Sequence, residues 1–485
     1  MAALTLLAQR LTTCPTICIL ATGIVSNTKF FVFRGGPVHT REENEILTRT
    51  GPGTPVGEFF RRYWLPACLS TEIPEADSPP VRVLLLNEHL VAFRDTEGKI
   101  GLVAENCPHR GTSLFFGRNE ESGLRCAYHG WKYDTSGQCV EQPSERRPFA
   151  NSIRVTAYPT HESGGVIWTY MGPAETMTPF RDFGTETLPP EKVNASKELH
   201  ECNWLQSFDG DLDGAHVSWL HSYFAMGDIP DDGTDVPGAY PSGMMTHRIW
   251  WHDRAPILEV EDRWFGFHYA ALRDTPNGNT HVRTYAYVMP STSILSGSPL
   301  NTRQIMIVPR DDETNYRYSF ETQVIHNPHD YGNPTTSSFA EYPYTMGSPT
   351  ARPGMPKGVV EHPTEPADNY GMDREAQKTV SMTGIPDFRG HDRMATSSMG
   401  LGKGDAYDRT KEHWGTTDVA LIRMHTLILE AAQDVAAGKQ PPAVSGDLDY
   451  RSIRGAEKVL MPGEDWRVLG TDDDPAVQEE KSLEA

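Results

Sequence analysis

The chain is expected to be an α+β protein, with an all-β N-terminal domain over residues 42–173 and an α+β domain with an antiparallel sheet over residues 174–464. Three observations predict this. Short apolar or alternating runs broken by turn residues fill 81–103, long alternating runs joined by tight turns fill 257–322, and one long helical periodicity covers 417–437. A chain of 485 residues has room for about three domains by length alone. No run of some 20 apolar residues occurs, so no membrane-spanning helix is expected. The balance of 65 acidic to 44 basic residues, a net charge of −21, argues against nucleic acid and anionic membrane surfaces as partners. An acidic surface suits a basic redox partner, or serves solubility alone.

In chain order, residues 1–41 contain no acidic residue, and Thr16 to Val25 form a short apolar run with Arg10 upstream. This is a targeting peptide or a disordered or misassigned start. The second reading is preferred, because Pro15 sits in the segment and no clear cleavage site follows. Folded character begins at Glu42. Val81–Leu86, Leu90–Phe93 and Ile100–Val103 are strand-like, with Asn87-Glu88 and Asp95–Gly98 as turns. Val166–Tyr170 closes the domain at Gly172-Pro173. Further strands are expected at Ile257–Leu272, Val282–Met289, Gln304–Val308 and Tyr316–Thr322, with turns at Pro276–Gly278 and Asp311–Asn315. Residues 325–370 read as irregular loop. Thr417–Ala437 reads as a helix with Leu421, Met424, Ile428, Ala431 and Val435 on one face and Gly438 ending it. From 465 to 485 the tail is acidic and expected to be disordered.

The chemistry lies in two constellations. The first is Cys107-Pro108-His109-Arg110-Gly111 with Cys126-Ala127-Tyr128-His129-Gly130-Trp131. Two Cys/His pairs can hold a [2Fe–2S] cluster with both thiolates on one iron and both imidazoles on the other, which raises its potential above that of an all-cysteine cluster. Structural zinc is the rival. Zinc sites usually group cysteines together and histidines together, whereas each loop here supplies one of each, so the cluster is preferred. Seven cysteines, odd and sparse, do not form a disulfide framework. With thiolate ligation they favour a reducing compartment, the cytoplasm.

The second constellation is Asp209-Gly210-Asp211-Leu212-Asp213-Gly214-Ala215-His216-Val217-Ser218-Trp219-Leu220-His221. His216 and His221 are candidate ligands of a non-haem iron, which takes two histidines and one carboxylate on one side. Their spacing puts them about 140° apart on a regular helix, so one must lie at a helix end or a distortion. Asp213 shares a face with His216 and can accept its second ring proton. Asp209, one turn earlier, is expected near the iron behind the ligands, and Asp211 is expected to point into solvent.

The two Cys/His loops, the Asp213/His216/His221 motif, Asn203-Trp204-Leu205-Gln206, Gly400 with Asp408-Arg409, and Glu412-His413 with Asp418-Val419 carry a resemblance. Over about residues 42–460 the sequence resembles the oxygenase (α) component of the Rieske non-haem iron ring-hydroxylating oxygenases, and among them the phthalate 4,5-dioxygenase-like branch. The resemblance implies a Rieske domain followed by a catalytic domain of helix-grip type, with a Rieske [2Fe–2S] cluster and a mononuclear Fe(II) as cofactors. It implies Asp392 as third iron ligand, with Asp387 and Asp405 fitting less well. It also implies that Asp213 bridges His129 and His216, between neighbouring subunits of a homotrimer or stacked trimers.

The implied activity is cis-dihydroxylation of a small aromatic substrate with O2, an aromatic carboxylate being expected; a monooxygenase or O-demethylase is the alternative. Arg248, Arg254 and Arg273 are either surface residues, the reading preferred, or candidate partners for the carboxylate, and of the three Arg273 is the best candidate because it ends a long strand. Trp250, Trp251, Trp264, Phe265 and Phe267 line a pocket or simply form core. No Gly-x-Gly-x-x-Gly follows a strand, Gly400–Gly404 lacks the strand–helix context, and no plant-type ferredoxin signature occurs. Electrons are therefore expected from a separate NAD(P)H-dependent flavin and iron–sulfur reductase.

Overall fold

The computed structural model describes residues 38–186, 188, 193–228, 235–239, 244–295, 301–323, 356–360, 366–400, 407–475 and 477–478. The expectations for residues 1–37 and for most of 325–370 lie outside them. Helix α1 (Arg41–Thr48) starts with a capping box between Thr40 and Glu43, and α2 (Pro55–Phe60) carries Pro55 in its first turn. Strands β1 (Trp64–Leu69), β2 (Val81–Leu85), β3 (Glu88–Arg94), β4 (Ile100–Ala104), β5 (Arg118–Glu120), β6 (Gly123–Arg125), β7 (Lys132–Tyr133), β8 (Cys139–Glu141), β9 (Thr160–Ser163) and β10 (Val166–Tyr170) follow. They pair as three antiparallel sheets, β1-β10-β9, β2-β3-β4 and β5-β6-β7-β8. Around the last of these a small separate core collects Val91, Phe93, Leu114, Leu124, Trp131 and Tyr133, with Cys107 and Cys126 embedded in it.

The second half is built on one large sheet. Strand β11 (Val193–His200) precedes helices α3 (Trp204–Leu212) and α4 (Met244–His252). Then come β12 (Ile257–Arg263), β13 (Gly266–Asp274), β14 (Thr280–Val288), β15 (Thr292–Leu295), β16 (Asn301–Pro309), β17 (Asn315–Gln323) and β18 (Val359–Val360). Helices α5 (Ala376–Thr379), α6 (Phe388–Ser397) and α7 (Val419–Ala436) follow, and β19 (Glu457–Val459) closes the order. The strand order is β12-β13-β14-β15-β16-β17-β11-β18 with β19 beside β14; all pairs are antiparallel except β11 with β18. The expected turns at Pro276–Gly278 and Asp311–Asn315 are present, Gly278 taking φ +77°. Helix α7 buries Met424, Ile428, Ala431 and Val435 as expected and packs on β12 and β13. Its Leu421 is only half-buried.

Three expectations change. Ile257–Leu272 is two strands, because Trp264 and Phe265 make the turn and Gly266 supplies a φ of +146°. An aromatic turn leaves no polar signal in the sequence. Trp250 and Trp251, which with Trp264, Phe265 and Phe267 read as aromatics alternating along strand, stand on helix α4. Beyond Asp465 the described chain is packed rather than disordered, with Trp466 and Leu469 buried against β13 and β14 residues Ala270 and Val282 and with Asp474 and Val477 buried further on.

Candidate metal centres

The two Cys/His loops are built alike. In each, the glycine N–H bonds back to the cysteine carbonyl, Gly111 to Cys107 and Gly130 to Cys126, both at 2.9 Å. Both glycines need a left-handed backbone, φ +77° and +76°. The turns drive Cys107 and Cys126 inward, 2% and 3% exposed, and leave His109 and His129 half-buried with ring centroids 4.4 Å apart. Trp131 stacks on His109 at 4.4 Å, nearly parallel, and Tyr128 leans on His129 at 3.9 Å. Tyr133 Oη lies 3.1 Å from Cys107 Sγ, and its hydroxyl can donate to a thiolate there. Burial pushes the Cys107 thiol up, so a thiolate at this depth calls for a cation beside it. His109 Nδ1 is buried without a hydrogen-bond partner. Two buried sulfurs and an orphaned ring nitrogen fit a [2Fe–2S] cluster.

The second site forms where α3 stops. Leu212 is its last residue, Asp213 caps it, and a 3-10 turn (His216–Ser218) re-aims the chain. Neither histidine lies on a regular α-helix, as the spacing requires. Asp392 comes from α6, whose N-cap Asp387 accepts from Arg389 N–H. That capping role removes Asp387 as competitor, and Asp405 lies outside the described residues. His221 Nε2 is 3.0 Å and His216 Nε2 3.6 Å from Asp392 Oδ1, and one ligand atom from each of the three residues lies within 4.8 Å of the others. Two imidazoles and a carboxylate brought this close fit a mononuclear Fe(II). Burial works against ionising Asp392, but attraction to His221 and His216 outweighs it and holds the carboxyl well below the usual range. Burial likewise lowers His221; at His216 it is outweighed by Asp213 and Asp392, and the pKa rises.

The tautomer of His221 follows from its neighbours. His391 Nε2–H donates to Ile385 carbonyl at 2.9 Å, so His391 Nδ1 is bare and accepts from His221 Nδ1–H at 3.2 Å. His221 Nε2 is thereby left unprotonated toward Asp392. His391 is fully buried and burial lowers its pKa to about 4, which keeps it neutral. It is a functional residue missed in sequence, with no local signal beyond adjacency to Asp392.

Asp213 Oδ1 accepts from Ala215 N–H at 2.7 Å, and its Oδ2 stands 3.7 Å from His216 Nδ1, beyond hydrogen-bond range. His216 Nδ1 is buried without a partner. No hydrogen bond or ion pair joins His129 to Asp213 or His216 among the described residues. Arg273 is 1% exposed and donates from Nη2 to Gly214 carbonyl at 2.7 Å, with Ser218 Oγ at 3.3 Å, bracing the loop between the iron histidines. Its Nε and Nη1 are buried without a partner. Arg254 instead stacks between Trp219 and Trp251, and Arg248 sits on α4. Arg283, which sequence reasoning passed over, lies over the rings of Trp250 and Tyr285 in the same interior. Asp209 bonds to Arg409 and His425. One further expectation fails: Asp211 is an ion pair with Arg317 at 3.1 Å rather than solvated.

Comparison with known proteins sets these sites in context. The family described as "Rieske [2Fe-2S] domain" matches residues 63–159, and that described as "LigXa C-terminal domain like" matches residues 169–485. The phthalate 4,5-dioxygenase oxygenase subunit of Pseudomonas putida is 34% identical over 88% of this chain and 94% of its own length. The 3-chlorobenzoate-3,4-dioxygenase oxygenase subunit of Comamonas testosteroni is 33% identical over 88% and 96%. The 5,5'-dehydrodivanillate O-demethylase oxygenase subunit of a Sphingobium strain is 29% identical over 84% and 83%. Among solved structures, Pseudomonas putida CBB5 NdmA with caffeine aligns with a TM-score of 0.50 at 19% identity, over 82% of this chain and all of its own.

Proposed function

The chain belongs to the Rieske non-haem iron aromatic ring-hydroxylating oxygenases as their oxygenase component, and from that premise we propose that it cis-dihydroxylates a small aromatic carboxylate in the cytoplasm. The observation that carries the reading is the convergence of His216, His221 and Asp392, with one ligand atom from each within 4.8 Å of the others. When bound, the cluster supplies single electrons and the Fe(II) supplies a site for O2. Cys107 and Cys126 would hold one cluster iron, His109 and His129 the other, and His216, His221 and Asp392 the mononuclear iron.

Asp213 has two tasks in this reading. It would accept the Nδ1 proton of His216, now 3.7 Å from its Oδ2, once the two close to bonding distance, keeping Nε2 free for metal, and it would accept a ring N–H from His129 of the partner subunit. The reading places that bridge between copies, in a homotrimer or stacked trimers. Electrons reach the cluster from a separate NAD(P)H-dependent flavin and iron–sulfur reductase, since the chain carries no nucleotide-binding fingerprint of its own.

The substrate class rests on two supports. Two relatives are named for phthalate and 3-chlorobenzoate, both aromatic carboxylates. Inside this chain, Arg273 holds two buried, unpartnered donors that a carboxylate can satisfy. The O-demethylase relative supports the second reading, a monooxygenase or O-demethylase on a related aromatic compound. Turnover of candidate carboxylates under labelled O2 separates the two: a diol carrying both labelled atoms supports dihydroxylation, and a product carrying one supports the second reading. Zinc in place of iron and acid-labile sulfide in the purified protein would refute both.

A further inference from the structure

A buried polar network lies behind α3, away from the metal ligands. His39 Nε2 meets His425 Nδ1 at 2.8 Å, His425 Nε2 meets Asp209 Oδ1 at 2.7 Å, and Arg409 Nη2 meets Asp209 Oδ2 at 2.9 Å. Arg409 is fully buried and His425 is 1% exposed. A carboxylate only accepts, so the His425 Nε2–H donates to Asp209. Trp414 closes the network edge-on to both imidazoles, at 5.4 Å from His39 and 4.9 Å from His425. An arginine and a histidine buried on one carboxylate are too costly to serve mere solubility, since each is taken out of water. Removing Arg409 leaves the Asp209 carboxylate without its ion pair, and removing His425 leaves Asp209 Oδ1 without its donor.

What this clamp holds is the last turn of α3. Asp209 carbonyl accepts from Asp213 N–H at 3.0 Å, the bond that ends the helix and sets where the Asp213 side chain emerges. Asp209 therefore sits directly beneath the carboxylate assigned to the bridge. We propose that His425 and Arg409 are positioning residues for electron transfer: by gripping Asp209 they fix the helix end from which Asp213 reaches its two histidines. This rests on the bridge assigned to Asp213 above. Neither residue touches a metal ligand, so their effect falls on transfer between the centres and not on the centres themselves. A displacement of even 1 Å in a reacting constellation carries a large kinetic penalty.

The test uses the holoenzyme with its cluster reduced and follows reoxidation of the cluster by absorbance in a single turnover with substrate and O2. His425→Ala is expected to slow reoxidation on the order of 10-fold or more, with iron content, cluster spectrum and substrate KM unchanged. Amide hydrogen exchange at Asp213 and Ala215 is expected to quicken in the same variant. His425→Gln, whose amide nitrogen can replace the imidazole Nε2–H, is expected to restore both. Unchanged reoxidation in His425→Ala overturns the inference, as does a loss of iron, cluster and KM together, which marks general misfolding. If His425→Ala does not fold, Asp209→Asn is read in its place by the same criteria. Asp213→Asn runs alongside: if it also leaves reoxidation unchanged, the bridge itself fails; if it alone slows reoxidation, only the clamp fails.

Discussion

The proposed iron ligands owe their protonation states to neighbours outside the ligand set. His391 presents a bare Nδ1 to His221 because its other nitrogen is committed to Ile385 carbonyl. His391→Ala is expected to weaken Fe(II) binding roughly 10- to 100-fold while sparing the cluster, and His391→Asn, which keeps an acceptor near Nδ1, to recover most of it. Metal titration of the apo-protein measures both. Glu412 gives a separate signature. Burial, with Asp209 adding to it and Arg409 opposing, raises its pKa to about 7 from 4.5. The folded state then binds a proton that the unfolded state has lost, so this group's contribution to stability falls as pH rises from about 4.5 through 7. Buried histidines such as His39, lowered to about 3, act in the opposite direction over overlapping pH, so the comparison must be with Glu412→Gln. Relative to that variant, the native protein should lose up to about 3 kcal/mol between pH 5 and pH 8, read by urea unfolding. Parallel curves would contradict it.

At the scale of elements, the iron site depends on how closely α3 approaches α6. Gly210 faces Thr396, and a Cβ there would stand 2.9 Å from Thr396 Cγ2. Gln206 Nε2, one turn earlier, donates to Thr396 carbonyl at 2.8 Å, tying the two helices at the end away from Asp392. Gly210→Ala is therefore expected to push α6 outward, lower iron occupancy several-fold and leave cluster absorption intact; metal analysis beside the visible spectrum checks it. The same elements show what a sequence can carry. Cys107, His109, Cys126, His129, His216 and His221 were legible because ligation demands those residue types at short, local spacings. Asp392 was reached only through resemblance, since it joins the histidines across a long stretch of chain. Asp211 was misjudged, and the partners of Asp209 were not foreseen, because Arg317, Arg409 and His425 come from distant elements. The turn at Trp264-Phe265 was missed because its residues look like strand.

For the whole molecule, charge is distributed unevenly over a chain of net −21. Beside the cluster the exposed side chains include Arg110, Arg146 and Arg147, with Tyr128 54% and Phe149 47% exposed. Near the other end of the proposed bridge stand Asp213, Glu412 and Asp418. The arrangement proposed above passes electrons from the cluster of one copy to the Asp213 of the next. The direct measurement is activity of mixed assemblies. Subunits carrying Asp213→Asn keep a working cluster but no bridge; subunits carrying Cys107→Ala keep the bridge and iron but no cluster. Each alone should be inactive. Co-assembled in equal amounts, they should recover roughly a quarter of native turnover, because one junction in four pairs an intact cluster with an intact bridge in a cyclic assembly. Mixed assemblies no more active than their parents would contradict transfer through Asp213 between subunits.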